Sequence, residues 1–337
     1  MEQVAKINNK KKIVWISILQ GLTMLLVVIG HSDLNEKGTI PVIGFVYQLF
    51  KSFRMPLFIL ISGYLFGLTR ISKNKEYGFV VVDKLKRLGI PFLFFSVIGF
   101  VTKYISSAYV KNPLGDMSFG YVLDIFLGLE TSPLGALWFV YVTFMLMLLY
   151  PFYSWVLKHK YISILVLLGG IVLNLHPIPV DLFMINKVSR LFIYFFAGLL
   201  IEKYDLAKYA KADIKRVIIL IALYFAAFLS VYFELLPIPY LILSFCGIVM
   251  SFHIAKYAEV YYSTLFNSFR YNTYQIYLIS VFPQMLFEMI YRQIGSHYFL
   301  LFYIINILVG LYFPIFIVKV VEKYNLKYLK PCIGLLG

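Results

Sequence analysis

Long apolar segments recur along the whole chain and constrain its fold more than any motif does. Crossing a bilayer as a helix takes about 20 mainly apolar residues, because the hydrocarbon core is about 30 Å thick. The predicted spans are 13–31, 41–68, 88–108, 135–157, 161–178, 187–202, 216–235, 240–258, 273–291 and 298–320. Backbone polar groups in lipid must be satisfied within the segment, so these ten spans are predicted to be helices.

The composition indicates the same class of protein. Hydrophobic residues make up 61% of the 337 residues, charged residues make up 14%, and the mean hydropathy is +0.83. A soluble domain of ordinary composition is about 25% charged, and a soluble fold of this length could not bury so much apolar surface. We therefore predict an all-α, polytopic membrane helical bundle that forms a single integral-membrane domain over residues 1–337.

Basic residues predict the orientation of the bundle. Most of the 31 lysines and arginines fall in alternate loops, which the positive-inside rule assigns to the cytoplasm. Ten spans with cytoplasmic N- and C-termini follow. The formal charge of +15 is dispersed over short loops, so we expect contact with anionic membrane lipids and no nucleic acid partner. Cys246 and Cys332 fit neither a disulfide framework nor a metal site.

Two segments between the spans are themselves partly apolar. Residues 69–87 mix basic and apolar side chains, which predicts an interfacial helix on the cytoplasmic surface. Residues 109–134 are predicted to lie outside, where GYVLDIFLGL has the composition of a short apolar helix.

Three of the ionisable side chains in the apolar spans are candidates for a functional role. His31 ends the first span, Arg54 lies well inside the second, and Arg190 lies near the start of the sixth. Charge is costly in lipid, so such groups usually face a cavity or a partner. For His31 and Arg190 the alternative is an anchor among the head groups. Arg54 is too central to reach the interface easily, which favours a cavity or an anionic partner.

The first span also carries a polar stripe. Gln20 and His31 are eleven residues apart, which places them on nearly one face, about 16 Å apart along the helix axis. Ser17 continues this stripe. Its hydrogen-bonding capacity predicts that it faces the interior of the bundle, and we expect Gln20, His31 and Arg54 to share one water-accessible cavity.

Six motifs follow one another in a set order along nearly the whole chain. They are WISILQGLTMLLVVIGH, SFRMPLFILISGYLFG, KLKRLGIPF, GALWFVYVTFMLMLLYP, SRLFIYFFAGLLI and RYNTYQIYLISVFPQ. The ordered set resembles the membrane acyltransferase-3 family, in particular its fucose 4-O-acetylase-like branch. The chain departs from the family pattern at four positions. The family has a basic residue where this chain has Gln20 and an acidic residue where it has Ser17. It has histidines where this chain has Arg54 and Ser280.

The resemblance implies a function. Family members transfer an acyl group, usually acetyl, from cytoplasmic acetyl-CoA or another acyl-CoA to a hydroxyl of a cell-envelope or exopolysaccharide glycan, which can be lipid-linked. The acyl-CoA is the donor substrate, and no bound cofactor or metal is expected. A multi-pass protein of the cell membrane, in a bacterial plasma membrane, is implied.

The resemblance also suggests roles for individual residues. An imidazole near neutral pH suits the base that deprotonates the acceptor hydroxyl, and we assign this role to His31. Arg54 would stabilise negative charge that develops on the thioester oxygen. Lys84 and Arg87, the family's basic pair, would hold the phosphates of the donor together with Gln20.

Two further landmarks of the family, Trp138 and Arg190, are expected to contact substrate. Two other interpretations remain open. A catalytically degenerate relative that acts in polysaccharide export or assembly would explain the four substitutions. A small-solute transporter would explain the spans but not the ordered motifs.

Overall fold

Every element in the described part of the chain is helical. The computed structural model describes residues 13–34, 38, 40–105, 120–128, 137–294 and 298–335. The helices are α1 (Val14–His31), α2 (Pro41–Lys51), α3 (Arg54–Phe66), α4 (Tyr77–Lys84), α5 (Ile90–Ile105), α6 (Gly120–Leu127), α7 (Trp138–Leu148), α8 (Tyr150–Val156), α9 (Lys160–Leu175), α10 (Ile185–Lys203), α11 (Ile214–Tyr232), α12 (Tyr240–Tyr261), α13 (Thr273–Ile279), α14 (Val281–Ile294), α15 (Phe299–Lys323) and α16 (Leu329–Cys332). Single π-helical turns at Gly67–Ile71 and Leu85–Gly89 follow α3 and α4.

Length and hydropathy confirm the prediction of a multi-pass helical membrane protein. In the described residues, seven helical segments are long and apolar enough to cross a membrane. The bent pair α7 and α8, with 53° between the axes, makes an eighth span if it crosses as one unit. Helix α9 has only 16 residues, and the predicted span 273–291 divides into α13 and α14 at Ser280. The total of ten spans and the orientation of the termini stay predictions.

The segment between the second and third predicted spans differs from the sequence prediction. We expected an interfacial helix within 69–87 and a separate span from residue 88. The candidate span instead runs from Tyr77 to Thr102, so α4 is continuous with α5 through the π-helical turn. The π-helical turn ends two residues before Pro91. Because proline has no N–H to donate to the carbonyl four residues earlier, the regular helical hydrogen bonding is interrupted here, and the wider π-helical turn accommodates the interruption without ending the helix. The short apolar helix predicted in 109–134 is confirmed as α6, and the rest of that segment lies outside the described residues.

Helix breaks occur inside two of the predicted spans. The second span breaks between α2 and α3, and the ninth breaks between α13 and α14. In each case a proline, Pro56 or Pro283, is the third residue of the new helix. A proline cannot donate to the carbonyl four residues earlier, so the break leaves backbone acceptors that need other partners in lipid.

Side chains from α11 and α12 satisfy the acceptors at the first break. Ser244 Oγ donates to the carbonyl oxygen of Ser52 at 2.5 Å, and the Tyr224 hydroxyl donates to the carbonyl oxygen of Leu49. The hydroxyls of Tyr224 and Ser52 are themselves 3.1 Å apart. Because these partners are buried, the break is a fixed feature of the fold, and it determines where Arg54 starts α3.

Helices α3 and α10 form the closest crossing in the bundle. A β-carbon on Gly63 would lie 2.1 Å from the carbonyl oxygen of Phe195, and one on Gly198 would lie 2.1 Å from that of Leu60. Small residues allow such close approach of helix backbones in membranes. The crossing fixes α3 against the core.

Helix α1 lies at the centre of the described bundle. It packs against α2, α3, α12, α13 and α15, and most of its residues are buried. Helix α3 runs beside it, so both helices extend from one side of the bundle to the other. This arrangement positions the polar ends of α1 for the two cavities described next.

Candidate functional site

Two polar cavities lie at opposite ends of α1. The first, which we call the His31 cavity, has a volume of about 230 Å³. It is lined by Gly30, His31, Asp33, Tyr47, Arg54, Val281, Gln284, Met285 and Glu288. The second, which we call the Gln20 cavity, has a volume of about 910 Å³. It is lined by Ile13, Ile16, Ser17, Gln20, Leu65, Leu68, Thr69, Arg70, Lys73, Lys75, Phe79, Asp83, Arg87 and Tyr271.

The expectation that Gln20, His31 and Arg54 share one cavity is wrong in part. The structure brings His31 and Arg54 together, whereas Gln20 lines the other cavity with Ser17. The reason is the separation of about 16 Å along α1, because side chains that far apart can share a face without meeting. Between them, the buried side chains of Met24, Val27 and Val28 pack into the core.

The Arg54 guanidinium is held tightly in the His31 cavity. The residue is 8% exposed, and a β-carbon on Gly30 would lie 1.4 Å from its Nη1. Its Cζ is 4.9 Å from the centroid of the Tyr47 ring, and the carboxylate of Asp33 attracts it across the cavity. Nη1 has no hydrogen-bond partner among the described residues. A glycine at position 30 is therefore required for this position of the guanidinium.

His31 is the last residue of α1 and is exposed to the cavity. The turn that carries it is held by Gln284, which is 3% exposed and belongs to α14. Gln284 Nε2 donates to Ser32 Oγ at 2.8 Å and to the carbonyl oxygen of Val28 at 3.2 Å. Ser32 Oγ in turn donates to the carbonyl oxygen of Val28 at 2.8 Å. These bonds attach α14 to the end of α1 and fix the backbone of His31.

Three polar residues of this cavity were not expected from the sequence, and a fourth, Glu288, was expected to be an interface anchor. Asp33, Tyr47, Gln284 and Glu288 line it beside His31 and Arg54. The available signal was a glutamine and a glutamate inside a predicted apolar span. A site that combines an imidazole, a guanidinium and carboxylates can accept a proton and can stabilise an oxyanion, because the three kinds of group are brought within one small volume.

The charged residues that line the Gln20 cavity are mainly basic. Arg70, Lys73, Lys75 and Arg87 line it together with a single carboxylate, Asp83. Arg70 Nη2 is 2.5 Å from Asp83 Oδ2, and Arg87 Nε is 2.9 Å from Asp83 Oδ1. One carboxylate thus orients two guanidinium groups. Four cations against one anion leave an excess of positive charge that suits a polyanionic ligand.

Lys84 does not line the Gln20 cavity, although its predicted partner Arg87 does. Lys84 Nζ is 3.9 Å from Asp83 Oδ2 and 5.7 Å from the centroid of the Phe66 ring. It therefore adds positive charge next to the cavity wall.

Trp138 and Arg190 lie away from both cavities. Trp138 begins α7, and Lys187 Nζ is 5.8 Å from the centroid of its ring. Arg190 is exposed on α10, where its carbonyl oxygen accepts a bond of 2.6 Å from Asn174 Nδ2. Their expected contact with substrate stays a prediction.

A comparison with protein families matches the chain over most of its length. The sequence profile of the acyltransferase-3 family, described as an acyltransferase domain, matches residues 13–319. The chain belongs to the acyltransferase-3 family. This confirms the family prediction, while the fucose 4-O-acetylase-like branch stays a prediction. No curated protein and no solved structure matches the chain.

In this membrane acyltransferase, two of the four departures from the expected family pattern fall at helix breaks. Arg54 is the first residue of α3, and Ser280 separates α13 from α14. Gln20 and Ser17 both line the Gln20 cavity. Three of the four departures therefore line the cavities, and the fourth, Ser280, is next in sequence to the cavity-lining residue Val281.

Proposed function

We propose that this acyltransferase moves an acyl group, most simply acetyl, from a cytoplasmic acyl-CoA to a hydroxyl of a cell-envelope or exopolysaccharide glycan. The observation that carries the proposal is the pairing of His31 with Arg54 in one small cavity. The basic Gln20 cavity at the other end of α1 supports a polyanionic donor.

The donor would bind by its phosphates at the Gln20 cavity. Arginine presents a planar fork that matches phosphate oxygens, and lysine adds a point charge. Arg70 and Arg87 are already oriented by Asp83, so part of the ordering that binding requires is present in the free protein. Gln20 would contact the donor from α1 as a neutral hydrogen-bonding group.

Acyl transfer would take place in the His31 cavity. His31 removes the proton from the acceptor hydroxyl, and the oxygen attacks the thioester carbonyl carbon. Arg54 stabilises the oxyanion that forms there, in a site where burial strengthens the interaction. The C–S bond then breaks, the ester remains on the acceptor, and the imidazolium returns its proton to the departing thiolate. The carboxylates of Asp33 and Glu288 favour the imidazolium between the two proton transfers.

Transfer also requires that the thioester reaches His31 from the Gln20 cavity, about 16 Å away along α1. Phe58, Phe139 and Tyr277 form a cluster of aromatic rings. Phe58 is between the cavity-lining residues of α3, and Tyr277 lies just before Val281. The centroid of the Phe139 ring is 4.7 Å from that of Phe58 and 5.3 Å from that of Tyr277. We expect these rings to part when the linear arm of the donor enters.

Labelled acetyl-CoA tests this proposal with the purified protein in proteoliposomes and cell-envelope glycan as acceptor. His31→Ala should abolish incorporation of label, because no other group of the cavity supplies a neutral imidazole. His253→Ala is the matched control, since His253 lies on α12 away from both cavities and should leave turnover unchanged. Undiminished incorporation by His31→Ala would refute the assignment. Glycan binding by the wild-type protein without any turnover would favour the role in export or assembly.

A further inference from the structure

An apolar groove separates two pairs of helices on the side of the bundle. Helix α9 packs closely on α10 and α11 packs on α12, but the two pairs leave a gap of about 620 Å³ between them. We call this gap the tail groove. All four helices contribute to its lining, which includes Leu167, Ile193, Leu200, Leu223, Phe245 and Cys246.

The chemistry of the lining excludes water as a stable occupant. Among the described residues that line it, only Tyr224 and Cys246 have side-chain heteroatoms. The Tyr224 hydroxyl already bonds to the carbonyl oxygen of Leu49. Ordered water needs two to four polar partners, which the groove does not offer, and an empty groove would forfeit dispersion contacts along its walls. An apolar chain satisfies both conditions.

The shape of the tail groove fits a hydrocarbon chain that runs along the helices. On α10 alone the lining extends from Ile193 to Ile201, which is about 12 Å along the axis. Three of the four helices that line the groove, α10, α11 and α12, are long and apolar enough to span a membrane, and α11 is mainly exposed on the surface of the bundle. Acyl chains of the surrounding bilayer therefore have direct access to it.

Basic residues flank one end of the tail groove in the amino-acid sequence. Leu206 and Leu220 line that end. Five exposed basic residues lie close to Leu206 or Leu220 in the sequence: Lys203, Lys208, Lys211, Lys215 and Arg216. Two of the five are near a carboxylate, at 3.9 Å for Lys208 and Asp205 and at 3.5 Å for Arg216 and Asp213.

Lys203, Lys211 and Lys215 have no carboxylate within ion-pair distance among the described residues. An apolar groove with three such lysines close in sequence to one end is complementary to an anionic head group with an attached tail, because each lysine near a lipid surface contributes about 1 kcal/mol of attraction to anionic lipid.

We propose that the tail groove binds an acyl chain of an anionic phospholipid, whose phosphate lies against Lys203, Lys211 and Lys215. This site is separate from both polar cavities, and it does not depend on the reaction that the enzyme catalyses. The lipid would fill the gap between the two helix pairs and connect them.

Native mass spectrometry tests the tail half of the proposal. The protein is reconstituted in vesicles of equal phosphatidylglycerol and phosphatidylcholine, extracted in mild detergent, and examined for retained lipid. Leu223→Trp fills the groove, and Ile218→Trp is the matched control, because both residues lie on α11 and are 60% exposed but only Leu223 lines the groove. Retained phosphatidylglycerol should fall about tenfold in Leu223→Trp alone, as expected when a few methylene contacts are lost. Equal retention by the two variants would overturn the proposal.

The natural thiol in the groove gives a second measurement that does not depend on a bulky substitution. Cys246 lines the groove, so Cys332→Ser leaves it as the single thiol of the chain. Added phosphatidylglycerol should slow the reaction of Cys246 with a maleimide about tenfold, because a bound chain covers the sulfur. An unchanged rate would contradict occupancy of the groove.

Charge substitutions test the head-group half. Lys203→Gln combined with Lys211→Gln should abolish the preference for phosphatidylglycerol over phosphatidylcholine while total lipid retention persists. Lys323→Gln combined with Lys327→Gln removes two exposed lysines that lie elsewhere, and should leave the preference intact. Wild-type protein that retains the two lipids equally would refute the assignment of an anionic lipid.

Discussion

A single methyl group on α1 should disable the His31 cavity. In Gly30→Ala the new β-carbon would lie 1.4 Å from Arg54 Nη1. Ordinary contact between carbon and nitrogen requires about 3.4 Å, so the guanidinium must move by about 2 Å. The closest atoms belong to the end of a flexible side chain, and the side chain of Arg54 can rotate away from α1 without any shift of the backbone.

The size of the effect follows from that displacement. A misplacement of 1 Å at a reacting centre can lower a rate by about 100-fold, so we expect kcat to fall by at least about 100-fold, or about 2.7 kcal/mol in the activation free energy. Gly30 lies in the last turn of α1, and alanine has a higher helix propensity than glycine, so the substitution should not lower the stability of α1 itself. The variant should therefore fold and still fail to turn over.

A double-mutant cycle with Arg54→Ala separates this mechanism from a general disturbance of α1. Transfer of labelled acetyl is measured for Gly30→Ala, Arg54→Ala and the combination of both. Without the guanidinium the methyl group meets no obstacle, so Gly30→Ala should change the residual rate of Arg54→Ala by less than about twofold. Independent, multiplying losses would refute the reasoning, as would full activity of Gly30→Ala alone.

Two further predictions concern the core crossing and the donor. Gly198→Ala places a methyl group 2.1 Å from the carbonyl oxygen of Leu60 and should lower the unfolding free energy in detergent by about 1–3 kcal/mol. Gly169→Ala, where the methyl group has no atom within 4 Å, should not lower it. Equal unfolding midpoints for the two variants would show that α3 and α10 can separate freely. Arg87→Gln should raise KM for acyl-CoA about tenfold with kcat unchanged. Salt should weaken donor binding less in the variant than in the wild-type protein. A fall in kcat alone would place the donor elsewhere.

The sequence could predict the helices because lipid imposes a simple length rule. Apolar runs of about 20 residues correspond to seven described segments that can cross a membrane, and to one bent pair. The hydropathy of a segment does not indicate where the helix within it is interrupted. Pro56 and Pro283 lie inside apolar runs, and the breaks depend on hydroxyls such as Ser244 that are distant in the chain. The same insensitivity to local geometry caused the wrong boundary between α4 and α5.

The candidate site was predictable only in part for a related reason. His31 and Arg54 are conspicuous because ionisable groups are rare in apolar runs. Gln284 was missed although it fixes the end of α1, because it is separated by 252 residues from the serine it contacts and only tertiary packing brings them together. A helical wheel also assigned Gln20 to the same face as His31, but a shared face does not imply a shared cavity when the residues are far apart along the axis.

The replacement at position 54 determines how the reaction can work in this chain. The expected family pattern has a histidine there, which could exchange a proton, whereas arginine keeps its charge and has no acceptor. With Arg54 held against Gly30 and attracted by Asp33, position 54 supplies no proton acceptor, and the proposed mechanism assigns proton transfer to His31. The helix break before α3 places the guanidinium in the cavity beside His31, and the contact of α14 through Gln284 fixes the backbone of His31. Arginine in place of the family's histidine at position 54 therefore removes a second possible base and adds a fixed positive charge. Acyl transfer needs one base and one group that stabilises the oxyanion, so this replacement is compatible with the proposed reaction.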